Sequence, residues 1–200
     1  LGVAQQLQQP ALLLCTSGTA AYNFAPAVAE AFFSETPLLV FTADRPAEWI
    51  AQYDGQTIHQ SGLYGNHVKA AYQLPQDYDH ADSRWAIERI INQAINTALE
   101  SPRGPVHINA PFREPLYPAR DEQVTFSNEV RIVEMQHQSY ALNTAQQHRL
   151  AAVWPSFNKV LVVAGQQAHD EALAQALATF FNTHHIPLIG DITTNLHGLD

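Results

Sequence analysis

The chain of 200 residues is 46% hydrophobic, enough to bury a core, and 14% charged, with 10 Lys+Arg against 19 Asp+Glu. The net charge of −9 argues against a general nucleic-acid or anionic-membrane surface, so an acidic ligand would have to be met by one of few cations. One cysteine, Cys15, excludes an internal disulfide framework and a multi-cysteine zinc site and fits a reducing, cytoplasmic setting, while no apolar run approaches the ~18 residues of a membrane span.

Leu1 to Leu7 has the apolar spacing of a helix's last turns with no cap before it, which predicts a helix begun upstream. At the far end, Pro187 to Asp191 predicts a strand, and the chain stops at Gly198-Leu199-Asp200 without the helix expected next. The 200 residues therefore read as an internal excerpt. Ala11 to Cys15 is a short apolar run, expected as a strand buried on both faces, followed by the turn Thr16-Ser17-Gly18-Thr19. A helix is expected from Ala20 to Phe33, and a second buried strand from Pro37 to Ala43, ending at Asp44-Arg45-Pro46. Strand, helix and strand in that length imply a parallel pair with a right-handed crossover. The stretch from Ala47 to Gln76 has weak periodicity and reads as loop and short helix over a sheet edge.

Between Asp82 and Glu100, Ile87, Ile90, Ile91, Ala94, Ile95 and Ala98 recur at three- and four-residue steps and predict a helix with one apolar stripe. Pro102 and Gly104 end it, and Val106 to Ala110 is another strand. From residue 118 to 156 the chain turns polar and Gln-rich and predicts an interdomain linker with a short helix near Ala141 to Val153. A new β-α-β unit opens at Lys159 to Gly165, with a helix expected to bury Ala172, Leu173, Ala176, Leu177, Phe180 and Phe181. The fold class is α/β: a parallel sheet flanked by helices over residues 1–117, then the start of a second α/β domain over 157–200.

Several constellations bear on function. Thr16 to Thr19 joins a strand's carboxyl end to a helix start, where open α/β sheets present amides and hydroxyls to ligands; an ordinary capping turn has the same sequence. Ser17 is not a hydrolase nucleophile of the G-x-S-x-G type, because Cys15 stands where the first glycine belongs. Arg45 sits at the carboxyl end of the second strand and is suited to a two-pronged grip on a carboxylate, with a salt bridge to Asp44 or Glu48 as the plain alternative. Gln56 and Gln60, with His59 between, are further donors in the following loop. The ten histidines lack metal-ligand spacing, and His107, inside a strand, reads as a hydrogen-bonded core residue. Gly165 follows a strand without the other glycines of a dinucleotide loop, and Trp49, Trp85 and Trp154 read as packing residues.

Thr16-Ser17-Gly18-Thr19-Ala20-Ala21-Tyr22-Asn23 resembles the strand-turn-helix segment of the pyrimidine-binding domain of thiamine-diphosphate enzymes. Taken with Thr42-Ala43-Asp44-Arg45-Pro46, Gln56, Gln60 and Val106 to Tyr117, the chain resembles the menaquinone-pathway branch of that superfamily, and nearly all of it is covered. The resemblance implies a transferase that decarboxylates 2-oxoglutarate and adds the resulting enamine to isochorismate. It implies thiamine diphosphate beside Ser17, Gly18, Thr19 and Asn23, and substrate at Arg45 and Gln56. It also implies a cytoplasmic homodimer or homotetramer that binds neither nucleic acid nor membrane. The ylide-promoting glutamate is expected upstream of Leu1, since Glu30 lies in the wrong helix. The ligands of Mg2+ or Mn2+ are expected in a further domain, so no catalytic or metal residue is assigned here, and the 200 residues alone are expected to be inactive. Gly55 stands where some members carry asparagine. Another carboligase of the acetohydroxyacid-synthase type, disfavoured by Thr42 to Pro46 and Gln56, and a non-catalytic α/β binding module are the alternatives.

Overall fold

The apolar runs become parallel strands. A computed structural model describes residues 1–114, 116–124, 126, 129–136 and 141–198; Pro115, Leu199, Asp200 and, within the expected linker, 125, 127, 128 and 137–140 lie outside the described residues. Two units divide between Gln138 and Ser139. In the first, β1 (Ala11–Cys15), β2 (Leu38–Asp44), β3 (Ala70–Gln73) and β4 (Pro105–Pro111) form a four-stranded parallel sheet in the order β1-β2-β4-β3.

Position in the sheet decides burial. Inner strand β4 is buried at every residue, as a strand covered on both faces should be. One face carries α1 (Gly2–Leu7) and α2 (Ala25–Phe33), whose Ala4, Val28 and Ala31 pack with Leu38 and Val40. The other carries α3 (Ala81–Leu99), whose Ile90, Ala94 and Ala98 pack with Val106, Ile108 and Ala110. Edge strand β1 departs from the two-face burial expected of it: Leu12 and Leu14 are exposed, because α3 reaches Leu39 and Phe41 beside them but not the edge itself. The other edge, β3, lies in a stretch expected to be loop. Four residues, Ala-Ala-Tyr-Gln, are too few and too mixed to carry a period-two signal.

The helix expected from Ala20 begins as a 3-10 turn over Thr19–Phe24 and becomes α-helical only at Ala25, next to Pro26. A proline suits a helix's first turn, where its missing N–H breaks no bond. The segment expected to be linker is partly docked. Residues 131–135 run as an extended strap along α3: Asn92 Nδ2 donates to Arg131 O (2.8 Å) and Asn92 Oδ1 accepts from Val133 N (2.7 Å). Asn96 repeats the pattern on Val133 O (2.7 Å) and Met135 N (3.1 Å). Composition missed this because side-chain amides holding main chain leave no apolar pattern. Trp85 and Trp49 are exposed rather than packed inside; the Arg89 guanidinium lies 5.5 Å from the Trp85 ring centre.

In the second unit, α4 (Thr144–Val153) starts at a capping box, with Asn143 Oδ1 accepting from Gln146 N and Gln146 Oε1 from Asn143 N, both 2.9 Å. The parallel pair β5 (Val162–Val163) and β6 (Leu188–Ile189) flanks α5 (Glu171–His184) in sequence. Both strands are shorter than expected, and none of the six α5 residues expected to be buried is fully so, since two strands of two residues offer little surface to cover. Among the described residues no helix is long and apolar enough to cross a membrane.

Candidate functional site

Three strands deliver their carboxyl ends to one crevice: Thr16 and Ser17 after β1, Asp44 to Pro46 from β2, and Phe112 to Glu114 after β4. This is the ligand position of open α/β sheets. The cleft encloses about 580 Å³. Arg45, less than a quarter exposed, reaches across it: Nη1 donates to Ser17 Oγ (2.9 Å), Nη2 to Gly55 O (2.8 Å), and Nε pairs with Asp54. Its ion-pair partner is therefore Asp54, not Asp44 or Glu48. Glu48 instead binds Arg113 (2.8 Å), which places a second guanidinium at the cleft.

The turn after β1 is set by backbone geometry. Gly18 has φ +91°, and a Cβ there would collide with Gln56 O; only glycine fits so close an approach without strain. Gly18 N donates to Gln60 Oε1 (2.5 Å) and Thr19 N to Gln56 O (3.2 Å). The turn's amides thus point inward, contrary to the expectation that they face the crevice. Hydroxyls and carboxamide remain outside: Thr16, Thr19 and Asn23 are exposed. Of the residues singled out in the sequence, Ser17 and Arg45 meet in the cleft. Gly18 and Thr19 adjoin it through Gln56 and Gln60, while Asn23 and the Gln56 side chain project from the 3-10 turn and the loop without lining it.

Beneath the cleft lies a polar layer that the sequence reading did not assemble. Thr42, Asp44, Gln60, His107 and Asn109 are all 5% exposed or less. Its signal was present, since Thr42 and Asp44 in β2 and His107 and Asn109 in β4 are polar at two-residue spacing within apolar strands. Thr42 Oγ1 donates to Asn109 Oδ1 (2.8 Å), so its contact with His107 Nε2 (2.8 Å) makes that nitrogen the donor. His107 Nδ1 then holds a bare lone pair with no partner among the described residues. Burial pushes the His107 imidazolium pKa down to about 4, and Tyr64 packs edge-on against the ring. Tyr64 donates to Ala21 O (2.7 Å), and burial, then the nearby Cys15, pushes its phenol up, keeping it a donor.

Residues 1–63 match the family described as thiamine pyrophosphate enzyme, N-terminal TPP binding domain. The whole chain is similar to three proteins named 2-succinyl-5-enolpyruvyl-6-hydroxy-3-cyclohexene-1-carboxylate synthase: 41% identical over 199 residues in Cytophaga hutchinsonii, 38% over 200 in Desulfotalea psychrophila and 38% over 196 in Porphyromonas gingivalis. Over residues 1–63 the chain is similar to the N-terminal domain of thiamine pyrophosphate enzymes. These alignments take in 100%, 99% and 98% of the chain but 34%, 36% and 33% of the relatives, so it spans about a third of the length of the curated relatives it matches.

The outer face of the turn beside the crevice fits one end of thiamine pyrophosphate. Neutral hydroxyls and a carboxamide outside a turn of internally satisfied amides suit an uncharged aminopyrimidine ring. Gly18 N and Thr19 N, both already bonded, are not free for a diphosphate, whose other usual partner is a metal ion. Among the described residues no group of three or more His, Cys, Asp or Glu could hold a metal.

Proposed function

We propose that the chain is part of a thiamine-diphosphate-dependent transferase of menaquinone biosynthesis, a cytoplasmic homo-oligomer that joins a unit from 2-oxoglutarate to isochorismate. The observation that carries the reading is Arg45: in a protein of net charge −9, a partly buried guanidinium stands in the same cleft as the turn that adjoins the thiamine site. Both substrates are carboxylates, and a carboxylate on the unused Nη protons would gain charge-assisted hydrogen bonds in a crevice partly shielded from water. Asp54 and Gly55 O hold the guanidinium in place from the loop side, and Ser17 holds it from the turn.

When bound, thiamine diphosphate supplies the electron sink that decarboxylation of a 2-oxo acid requires. Ser17, Gly18, Thr19 and Asn23 would lie beside its aminopyrimidine, with Gln56 extending from the adjoining loop toward substrate. Mg2+ or Mn2+ would be held by residues elsewhere in the whole enzyme, as would the carboxylate that activates the ring. The test is carbon dioxide release from 2-oxoglutarate by the full-length enzyme, with thiamine diphosphate and magnesium, with and without isochorismate. Isochorismate-dependent release with an adduct of the summed mass supports the assignment; a folded, cofactor-loaded enzyme without turnover moves it to another carboligase. Replacing Arg45 by Ala should cost roughly 2–5 kcal/mol in kcat/KM if it pairs with a desolvated carboxylate. Unchanged kinetics would leave Arg45 a structural partner of Asp54.

A further inference from the structure

The buried amides under the cleft have a direction that can be read from one end to the other. An ionised carboxylate only accepts hydrogen bonds, so the Asn109 atom 2.7 Å from Asp44 Oδ2 is Nδ2. Asn109 Oδ1 therefore faces Thr42 Oγ1 (2.8 Å) and Gln60 Nε2 (3.1 Å). With Nε2 on that side, also donating to Ala43 O (2.8 Å), Gln60 presents Oε1 to Gly18 N (2.5 Å). The second Nδ2 proton of Asn109 goes to Gln73 Oε1 (2.9 Å), and Asp44 Oδ1 accepts from Arg45 N (2.8 Å). Gln60 and Asn109 are 1% and 2% exposed, so solvent offers no substitute partner if one amide turns over.

We infer that Asp44, Asn109 and Gln60 form a polarity relay that locks the Gly18–Thr19 turn to the Arg45 strand end, fixing the spacing between the thiamine-facing and anion-binding sides of the cleft. The inference rests on the reading of that cleft given above. The three are positioning residues: they act through Gly18 and Arg45. Both protons and both lone pairs of the Asn109 amide are used, so reversing the charge pattern at one member breaks the chain, and reversing it at both ends of one link remakes it.

The test uses the full-length enzyme, with amide hydrogen exchange over residues 17–22 measured without cofactor and thiamine diphosphate affinity measured by titration calorimetry. Asn109→Asp sets two carboxylates face to face and removes both donors. Exchange over 17–22 should rise, and affinity fall, about tenfold, the scale of one buried hydrogen bond lost. In the double variant Asp44→Asn with Asn109→Asp, the new carboxamide at 44 donates to the new carboxylate at 109, Gln73 turns its amide to donate, and Thr42 and Gln60 keep their roles. Both readouts should return to within about twofold of the original protein, a rescue that general destabilisation does not produce. A folded Asn109→Asp with unchanged exchange, or a double variant no better than the single, overturns the relay. Should Asn109→Asp fail to fold, Gln60→Met cuts the chain at its last link. It should loosen 17–22 but not Asp44 and Arg45, and unchanged exchange over 17–22 overturns the relay equally. A protein that follows the exchange pattern but binds no thiamine diphosphate refutes the cofactor reading and retains the relay.

Discussion

Acid should destabilise the first unit through His107 before it acts on most carboxylates. The ring is fully buried, its Nε2–H is committed to Thr42, and the proton that acid would add at Nδ1 finds no acceptor among the described residues. Burial accordingly holds the pKa at about 4, while the unfolded chain binds the same proton near ~6.5. Between those values the unfolded state carries more protons, so stability rises with pH through the window, is complete above ~6.5 and is lost toward about 4. The gap corresponds to about 3 kcal/mol, a large share of the 5–15 kcal/mol typical of a domain (about 0.05–0.15 kcal/mol per residue). His107→Gln isolates the effect, because the glutamine amide sits where Nε2 does and still donates to Thr42 while having nothing to protonate. Urea unfolding of both proteins at several pH values from 7 to 4 should give free energies whose difference shifts by about 3 kcal/mol in favour of the variant as pH falls. Parallel curves would refute the argument.

Two other substitutions probe the packing and the turn. Ile108→Ala empties the centre of β4, where the side chain packs with Ile90 and Ala94 of α3, and should cost roughly 2–5 kcal/mol in urea unfolding; a loss below ~1 kcal/mol would mean that α3 is loosely seated. Gly18→Ala drives a methyl group against Gln56 O at a positive φ, so the melting temperature should drop with a strain of roughly 1–3 kcal/mol. Tighter or unchanged thiamine diphosphate binding in that variant would argue that the turn does not border the cofactor.

The strands and the long helix were legible because burial writes a period into sequence. Ile87 to Ala98 at helical steps and Leu38 to Phe41 as a continuous apolar run are the marks that burial leaves, and α3 and β2 lie within a residue or two of where they were expected. Elements made by polar atoms left no such period. The strap at 131–135 is held by asparagines whose neighbours look like any helix surface, and β3 is set by its place beside β4 rather than by its own four residues. The site divided the same way. Arg45 could be placed at a strand end from Pro46 and the apolar run before it, but its partner Asp54 comes from a loop whose path depends on left-handed residues at Ala51, Tyr53 and Gln56. Gln60 read only as a further donor in a loop, and the folded chain shows its amide joining the turn after β1 to β2 and β4.

The strap on α3 has a geometric property with consequences for motion. Asn92 and Asn96 stand four residues apart on a helix, about 6 Å along its axis, and the peptide groups they hold recur every two residues of extended chain, ~6.6 Å. The two repeats nearly coincide, so sliding the strap by two residues presents the same four bonding groups to the same two amides. Main chain alone is gripped, which means these bonds fix distance from the helix without fixing register. Choice among registers falls to Val133 and Met135, each about half exposed and so only weakly discriminating. Bonds of this kind hold the strap's main chain at a fixed distance from α3 whatever side chains the strap carries.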